Sequence, residues 1–195
     1  MTGSERHKEF YRKHPVKKWM NWGSAFYDAI PKLEDFNIIC DVGCGNGEFC
    51  CDMVSKFGHK ISFGVDPATV GLGIPIFNNR VVYLDAPAHR IPLSDNGGGL
   101  VNYVTAFDVL EHNEEAYLDD VFCEFNRVAK TGWLFSICHG PSGEQLNGEN
   151  LHATIQPREW WVERISKYAT IEVHTNSHVA HAGNSLMICK LKTEN

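Results

Sequence analysis

The stretch "NIICDVGCGNGEF", residues 37–49, limits the possible folds more than any other part of the chain. An apolar run ends in an acid, Asp41, and glycines follow at alternate positions, Gly43, Gly45 and Gly47. The run reads as a buried strand, and "GEFCCDMVSKFG" behind it reads as a helix closing at Gly58. A helix that opens directly after a strand presents unpaired N–H groups and the positive end of its dipole. Lacking Cβ atoms, the glycines can take positive φ and let a bound group lie against the backbone.

The same alternation continues along the chain. "KISFGVD", "RVVYLDA", the start of "GLVNYVTAFDVLEH" and "GWLFSICHG" read as strands, and "NEEAYLDDVFCEFNRVAK" and "QPREWWVERISKY" as helices. "ATIEVHT" and "SLMICKLK" close the chain as two strands with no helix between them, which predicts an antiparallel pairing. Near-continuous apolar strands separated by helices predict an α/β fold: a doubly wound, mostly parallel, seven-stranded Rossmann-like sheet with an antiparallel C-terminal strand. The expected division is an N-terminal helical arm, 1–35, and a main domain, 36–195, with an insertion around 140–160. The arm is aromatic, and two short helices broken near Pro15 are expected within it.

Three acids at strand ends say what the glycine turn would hold. The spacing is G-x-G-x-G and not the G-x-G-x-x-G that seats a pyrophosphate. A carboxylate beside the turn, Asp41, repels an anion but suits an ammonium group. Asp66, ending the second strand, is placed to accept hydrogen bonds from ribose hydroxyls. Asp85 and Ala86, ending the third, offer an acceptor and a backbone N–H that match the edge of adenine. The set fits an adenosine with a cationic amino-acid tail better than a dinucleotide, although a nicotinamide-dependent oxidoreductase shares part of the pattern.

With its "DVGCGNG" and later "DVLEH", the chain resembles the class I S-adenosylmethionine-dependent methyltransferases over roughly residues 36–140. The resemblance implies S-adenosylmethionine as cofactor and S-adenosylhomocysteine as product. It places the methionine moiety against Asp41, Gly43, Cys44, Gly45 and Gly47. Asp66 and the adjoining Pro67 would hold the ribose, Asp85 with Ala86 the adenine, and Phe107 with Asp108 the base or the sulfonium. Where the family often has an Asp near the start of the fourth strand, this chain has Asn102, at a position that is normally structural.

Methyl transfer from a sulfonium needs alignment above all, and a base only where the acceptor must lose a proton. Candidate bases at the strand ends and on the facing loop are Glu111, His112, His139 and His152, with His152 preferred. His174, His178 and His181 read as solvated. An acceptor pocket is expected from Trp19, Trp22, Phe26 and Tyr27 together with Trp160 and Trp161, although a packed cap around Trp161 fits as well. The sequence lacks the N-P-P-Y and Pro-Cys signatures of other methyl-transfer chemistries and has no Asp-Asn pair after the fifth strand, leaving O- or N-methylation of a small molecule or sugar.

Charge and cysteines bound the partners. The net charge of -6 argues against a broad nucleic-acid-binding surface, yet six of the 18 Lys and Arg lie within the first 18 residues. An RNA-directed methyltransferase that uses this basic arm, and a non-catalytic S-adenosylmethionine-binding protein, therefore stay open as alternatives. Seven cysteines, an odd number without paired spacing, suggest free thiols, a cytoplasmic protein and no metal site. No membrane association is expected.

Overall fold

The computed structural model describes residues 3–13, 22–67, 79–94, 99–174 and 184–192. Its centre is a seven-stranded sheet. Five strands come first in the chain: β1 (Ile38–Val42), β2 (Ile61–Val65), β3 (Val81–Leu84), β4 (Val101–Phe107) and β5 (Ala129–Cys138). A two-residue hairpin, β6 (Gln145–Leu146) and β7 (Glu149–Asn150), stands apart from the sheet, and β8 (Ala169–His174) and β9 (Asn184–Leu191) complete it. The spatial order is β3-β2-β1-β4-β5-β9-β8. All neighbours from β3 to β5 are parallel, and β9 runs antiparallel to both β5 and β8. The expected sheet is thus present, with the antiparallel strand inserted inside it and β8 at the edge.

Alternation along the strands builds a core on each face. Cys40, Val104, Trp133, Phe135 and Cys189 share one apolar cluster, whereas Ile39, Tyr103, Leu134 and Ile188 share another. Helix α3 (Leu118–Val128) covers the first face with Leu118, Val121, Phe122, Phe125 and Val128, an i, i+3, i+4 stripe. Helix α4 (Arg158–Ile165) adds Trp161 and Ile165 to the same core. The second face is covered by helix α2 (Glu48–Ser55), which contributes Phe49 and Met53, and by 3-10 turns at Trp22–Phe26 and Ile30–Lys32. Helix α1 (Gly3–Lys13) precedes these turns, and Pro15 lies outside the described residues. Among the described residues the N-terminal segment holds one α-helix before Pro15 and two 3-10 turns after it.

Asn102 ties the sheet together, as its position suggests. Its side-chain carbonyl accepts the Ile38 backbone N–H at 2.9 Å, linking the starts of β1 and β4. Strand order reverses between β1, which has β2 on one side, and β4 on the other. In open α/β sheets a ligand crevice forms at the carboxyl ends of the strands flanking such a reversal. That end of the molecule carries the acids and glycines singled out above.

Candidate functional site

The glycine turn is pinned to the neighbouring strand. Gly43 and Cys44 donate their N–H groups to the Val65 carbonyl at 2.7 and 3.3 Å, and Gly45 donates to Asp66 Oδ2 at 3.0 Å. Gly43, Gly45 and Gly47 have φ of 71, 52 and 74°. The structure adds a second reason for two of them. A Cβ on Gly43 would stand 2.2 Å from Val109, and one on Gly47 2.0 Å from the Tyr83 hydroxyl. Packing inside the protein therefore removes those side chains, whatever else lies against the turn.

Asp41 faces Thr105 across the β1–β4 pairing and is only 3% exposed. Thr105 donates its hydroxyl to Asp41 Oδ1 at 2.7 Å, and the Cys50 thiol approaches Oδ2 at 3.9 Å. Burial pushes the carboxyl up to about 7, with the Thr105 hydrogen bond opposing and the Asp66 charge adding to the rise. A carboxyl raised in the folded state costs stability once ionised, so the cost grows as pH rises from about 4 through 7. Asp41→Asn, which keeps an acceptor for Thr105, is therefore expected to be the more stable protein at pH 8. The gain should be on the order of 2 kcal/mol and shrink toward pH 5. Urea unfolding at both pH values measures it, and a pH-independent difference would contradict the assignment.

Asp66 ends β2, is 7% exposed and continues the pairing by donating its N–H to the Leu84 carbonyl at 3.1 Å. Pro67 follows it half-buried. Asp85 and Ala86 end β3 beside it, the first exposed and the second buried. Helix α1 lies across these ends. Lys8 reaches Asp85 at 3.8 Å, and the Tyr11 hydroxyl is pushed up by burial and then by the charges of Asp66 and Asp108. On the far side Arg6 pairs with Glu149 at 3.2 Å and Glu114 at 3.7 Å, while Phe10 packs with Leu146 and Leu151. One helix thus spans the crevice from the Asp85 side to the 140–154 loop.

The other wall is the end of β4. Phe107 is buried against Phe26 and Phe49. Asp108 follows with φ of 60°, a left-handed backbone that a non-glycine residue adopts at a cost. Glu111 is wholly buried in the 3-10 turn Leu110–His112 and accepts the Cys138 N–H on Oε1 at 2.6 Å. Its carbonyl receives the N–H groups of Ala153 and Thr154 at 2.8 and 2.9 Å, which fastens the 140–154 loop over the end of β4. His152 on that loop is 7% exposed, and its Nδ1 donates to the Gly140 carbonyl at 2.6 Å. His112 donates Nδ1 to the Leu151 carbonyl at 3.0 Å, and its ring meets that of His152 edge-on at 4.6 Å.

A family model described as "Methyltransferase domain" matches residues 11–181. The chain belongs to that methyltransferase family. Solved structures share the methyltransferase fold. The PH0226 protein of Pyrococcus horikoshii is 17% identical, with a TM-score of 0.70 over 94% of this chain and 99% of its own. The magnesium protoporphyrin IX methyltransferase of Synechocystis, solved with S-adenosylhomocysteine, is 12% identical, with a TM-score of 0.60 over 97% and 94%. A phosphoethanolamine N-methyltransferase of Haemonchus contortus, also with S-adenosylhomocysteine, is 16% identical, with a TM-score of 0.64 over 96% of this chain and 57% of its own. No curated protein sequence matches the chain. The expected class I methyltransferase architecture and its cofactor, S-adenosylmethionine, agree with these findings.

Within this methyltransferase the sequence-derived candidates fall into two groups. Asp41, Gly43, Cys44, Gly45, Gly47 and Asp66 form one connected turn and strand end, whereas Glu111, His112 and His152 gather with Asp108 on the opposite wall. His139 is held apart from them. Its Nδ1 donates to the Gln156 carbonyl at 3.2 Å, its Nε2 lies 2.7 Å from the Ser185 hydroxyl, and burial lowers its pKa. Phe26 and Trp161 are fully buried core residues and so line no open pocket. Tyr27 hydrogen-bonds Asp52 and stacks near Phe49, and Trp160 is partly buried beneath Arg164. Trp19, His178, His181 and the side chains of Trp22 and His174 lie outside the described residues.

Sequence reading missed Cys138 and the β6–β7 hairpin. The hairpin had a signal in Asn147-Gly148, whose φ values of 55 and 84° are those a tight two-residue turn requires. All seven cysteines are free, and no described helix is long and apolar enough to cross a membrane.

Proposed function

We propose that the protein transfers a methyl group from S-adenosylmethionine to an oxygen or nitrogen of a small-molecule acceptor bound beneath α1 and the 140–154 loop. One observation carries this reading. The acid–glycine turn of β1, the Asp66 end of β2 and the Asp85 end of β3 lie on successive neighbouring strands leading away from the strand reversal, each offering the group expected for one part of that cofactor. Asp41 suits the ammonium group, because a cation beside a buried carboxyl offsets the cost of ionising it. α1 would serve as a cover that excludes water, as its contacts on both sides of the crevice suggest.

The state of the basic arm favours a small acceptor over RNA. Arg6, Lys8 and Lys13 each pair with an acid of this same chain, Arg6 and Lys8 with acids at the crevice mouth. Arg6 and Lys8 are engaged in holding the helix down, and Lys13 pairs with Glu9 of the helix itself, rather than being presented to a phosphate backbone. The test is incubation with methyl-labelled S-adenosylmethionine and fractionated cell extract. Label is expected in the small-molecule fraction, and label confined to RNA would favour the RNA-directed reading.

A further inference from the structure

On the acceptor wall, four chemically distinct side chains converge from three places in the chain. Asp108 and Glu111 come from the end of β4, Cys138 from the end of β5, and His152 from the loop fastened over both. One ligand atom from each lies within 4.8 Å of all the others. The sequence suggested no metal site, because these residues lack the paired spacing by which such sites are usually read.

Two features show that the cluster is incomplete as a purely protein arrangement. Glu111 is 0% exposed, and its Oε2 has no hydrogen-bond partner among the described residues. Asp108, a second carboxylate, places an oxygen within 4.8 Å of one from Glu111. Among the described residues no lysine or arginine offsets this pair. Two facing carboxylates with an orphaned buried oxygen need a proton or a cation between them.

The other two groups favour the cation. Because the Gly140 carbonyl takes the Nδ1 proton of His152, the ring's lone pair sits on Nε2, the orientation a ligating histidine is given by a partner behind it. The Cys138 thiol lies 3.8 Å from that same Gly140 carbonyl, so one backbone group holds both soft donors.

We propose that Asp108, Glu111, Cys138 and His152 form a site for a divalent first-row transition-metal ion, of which Zn²⁺ is the best match. Two carboxylate oxygens, one imidazole nitrogen and one sulfur make a four-donor set suited to Zn²⁺. Mg²⁺ and Ca²⁺ prefer oxygen alone. Binding would displace the thiol proton of Cys138 to solvent and any proton shared by the carboxylates. Beside a methyl donor the ion would polarise a hydroxyl acceptor, and His152 would act as a ligand rather than a base. That consequence rests on the methyl-transfer reading; the site itself does not.

The test strips the purified protein with a chelator and titrates it with Zn²⁺, and separately with Mg²⁺, measuring bound metal after dialysis. One equivalent of Zn²⁺ is expected, with Mg²⁺ failing to compete. His152→Ala should weaken Zn²⁺ binding at least tenfold. Cys138→Ser, a one-atom change, covers the case in which His152→Ala does not fold. The Co²⁺-loaded protein should show a sulfur-to-metal absorption band that Cys138→Ser removes. S-Adenosylmethionine binding, measured on the same samples, reports the fold and the methyl-transfer reading independently of the metal. Absence of stoichiometric Zn²⁺, or Zn²⁺ binding unchanged in both variants, would overturn the proposal.

Discussion

Replacing Asp66 with alanine is expected to weaken S-adenosylmethionine binding by about a hundredfold or more and to leave the fold intact. The carboxylate stands at the end of β2, 7% exposed, with Oδ2 on the Gly45 N–H at 3.0 Å. It thereby fixes the glycine turn at the end of β2. On the proposed reading Asp66 accepts from both ribose hydroxyls; a hydrogen bond to a charged group contributes about 1.5–3 kcal/mol, so losing two would account for at least two powers of ten in affinity. Asp66→Asn, which still accepts from Gly45, should lose less. Calorimetric titration measures the binding, and thermal unfolding shows that the variant is folded. An Asp66→Ala protein of unchanged affinity would remove this residue from the cofactor site.

Gly43→Ala should be the more damaging change to the fold. The residue has φ of 71°, where a Cβ costs about 1–2 kcal/mol. The added carbon would also stand 2.2 Å from Val109 Cγ2, and overpacking of this kind costs about 1–3 kcal/mol more. A total loss of about 3 kcal/mol or more is expected from urea unfolding. In a Val109→Ala background the clash is relieved and only the backbone part remains, so the two substitutions should be strongly non-additive. Gly58 is the control: its φ is 72° but its Cβ would meet nothing, so Gly58→Ala should cost only the conformational part. Equal losses at the two glycines would show that crowding against Val109 plays no role.

The strands were legible because burial on both faces leaves long apolar runs, as in "IICDV" and "VNYVTAF". The glycine turn was legible because positive φ restricts the residue type. Periodicity could not tell that β9 inserts between β5 and β8, because pairing partners far apart in sequence leave no mark in either strand. Nor could it separate core from pocket among aromatics: Phe26 and Trp161 carry the same composition signal whether they face a ligand or the sheet. The acceptor wall was the least legible region. Glu111 and His152 are 41 positions apart and meet through backbone hydrogen bonds, from Ala153 and Thr154 to the Glu111 carbonyl. Such bonds depend on no side chain that a sequence displays.

The central claim is that the crevice at the β1–β4 reversal holds S-adenosylmethionine. Calorimetric titration of the purified protein with S-adenosylmethionine, S-adenosylhomocysteine and NAD tests it most directly. One-to-one binding of both sulfur-containing ligands in the micromolar range, with no heat from NAD, is the predicted result. Binding of NAD with neither of the others would contradict the account.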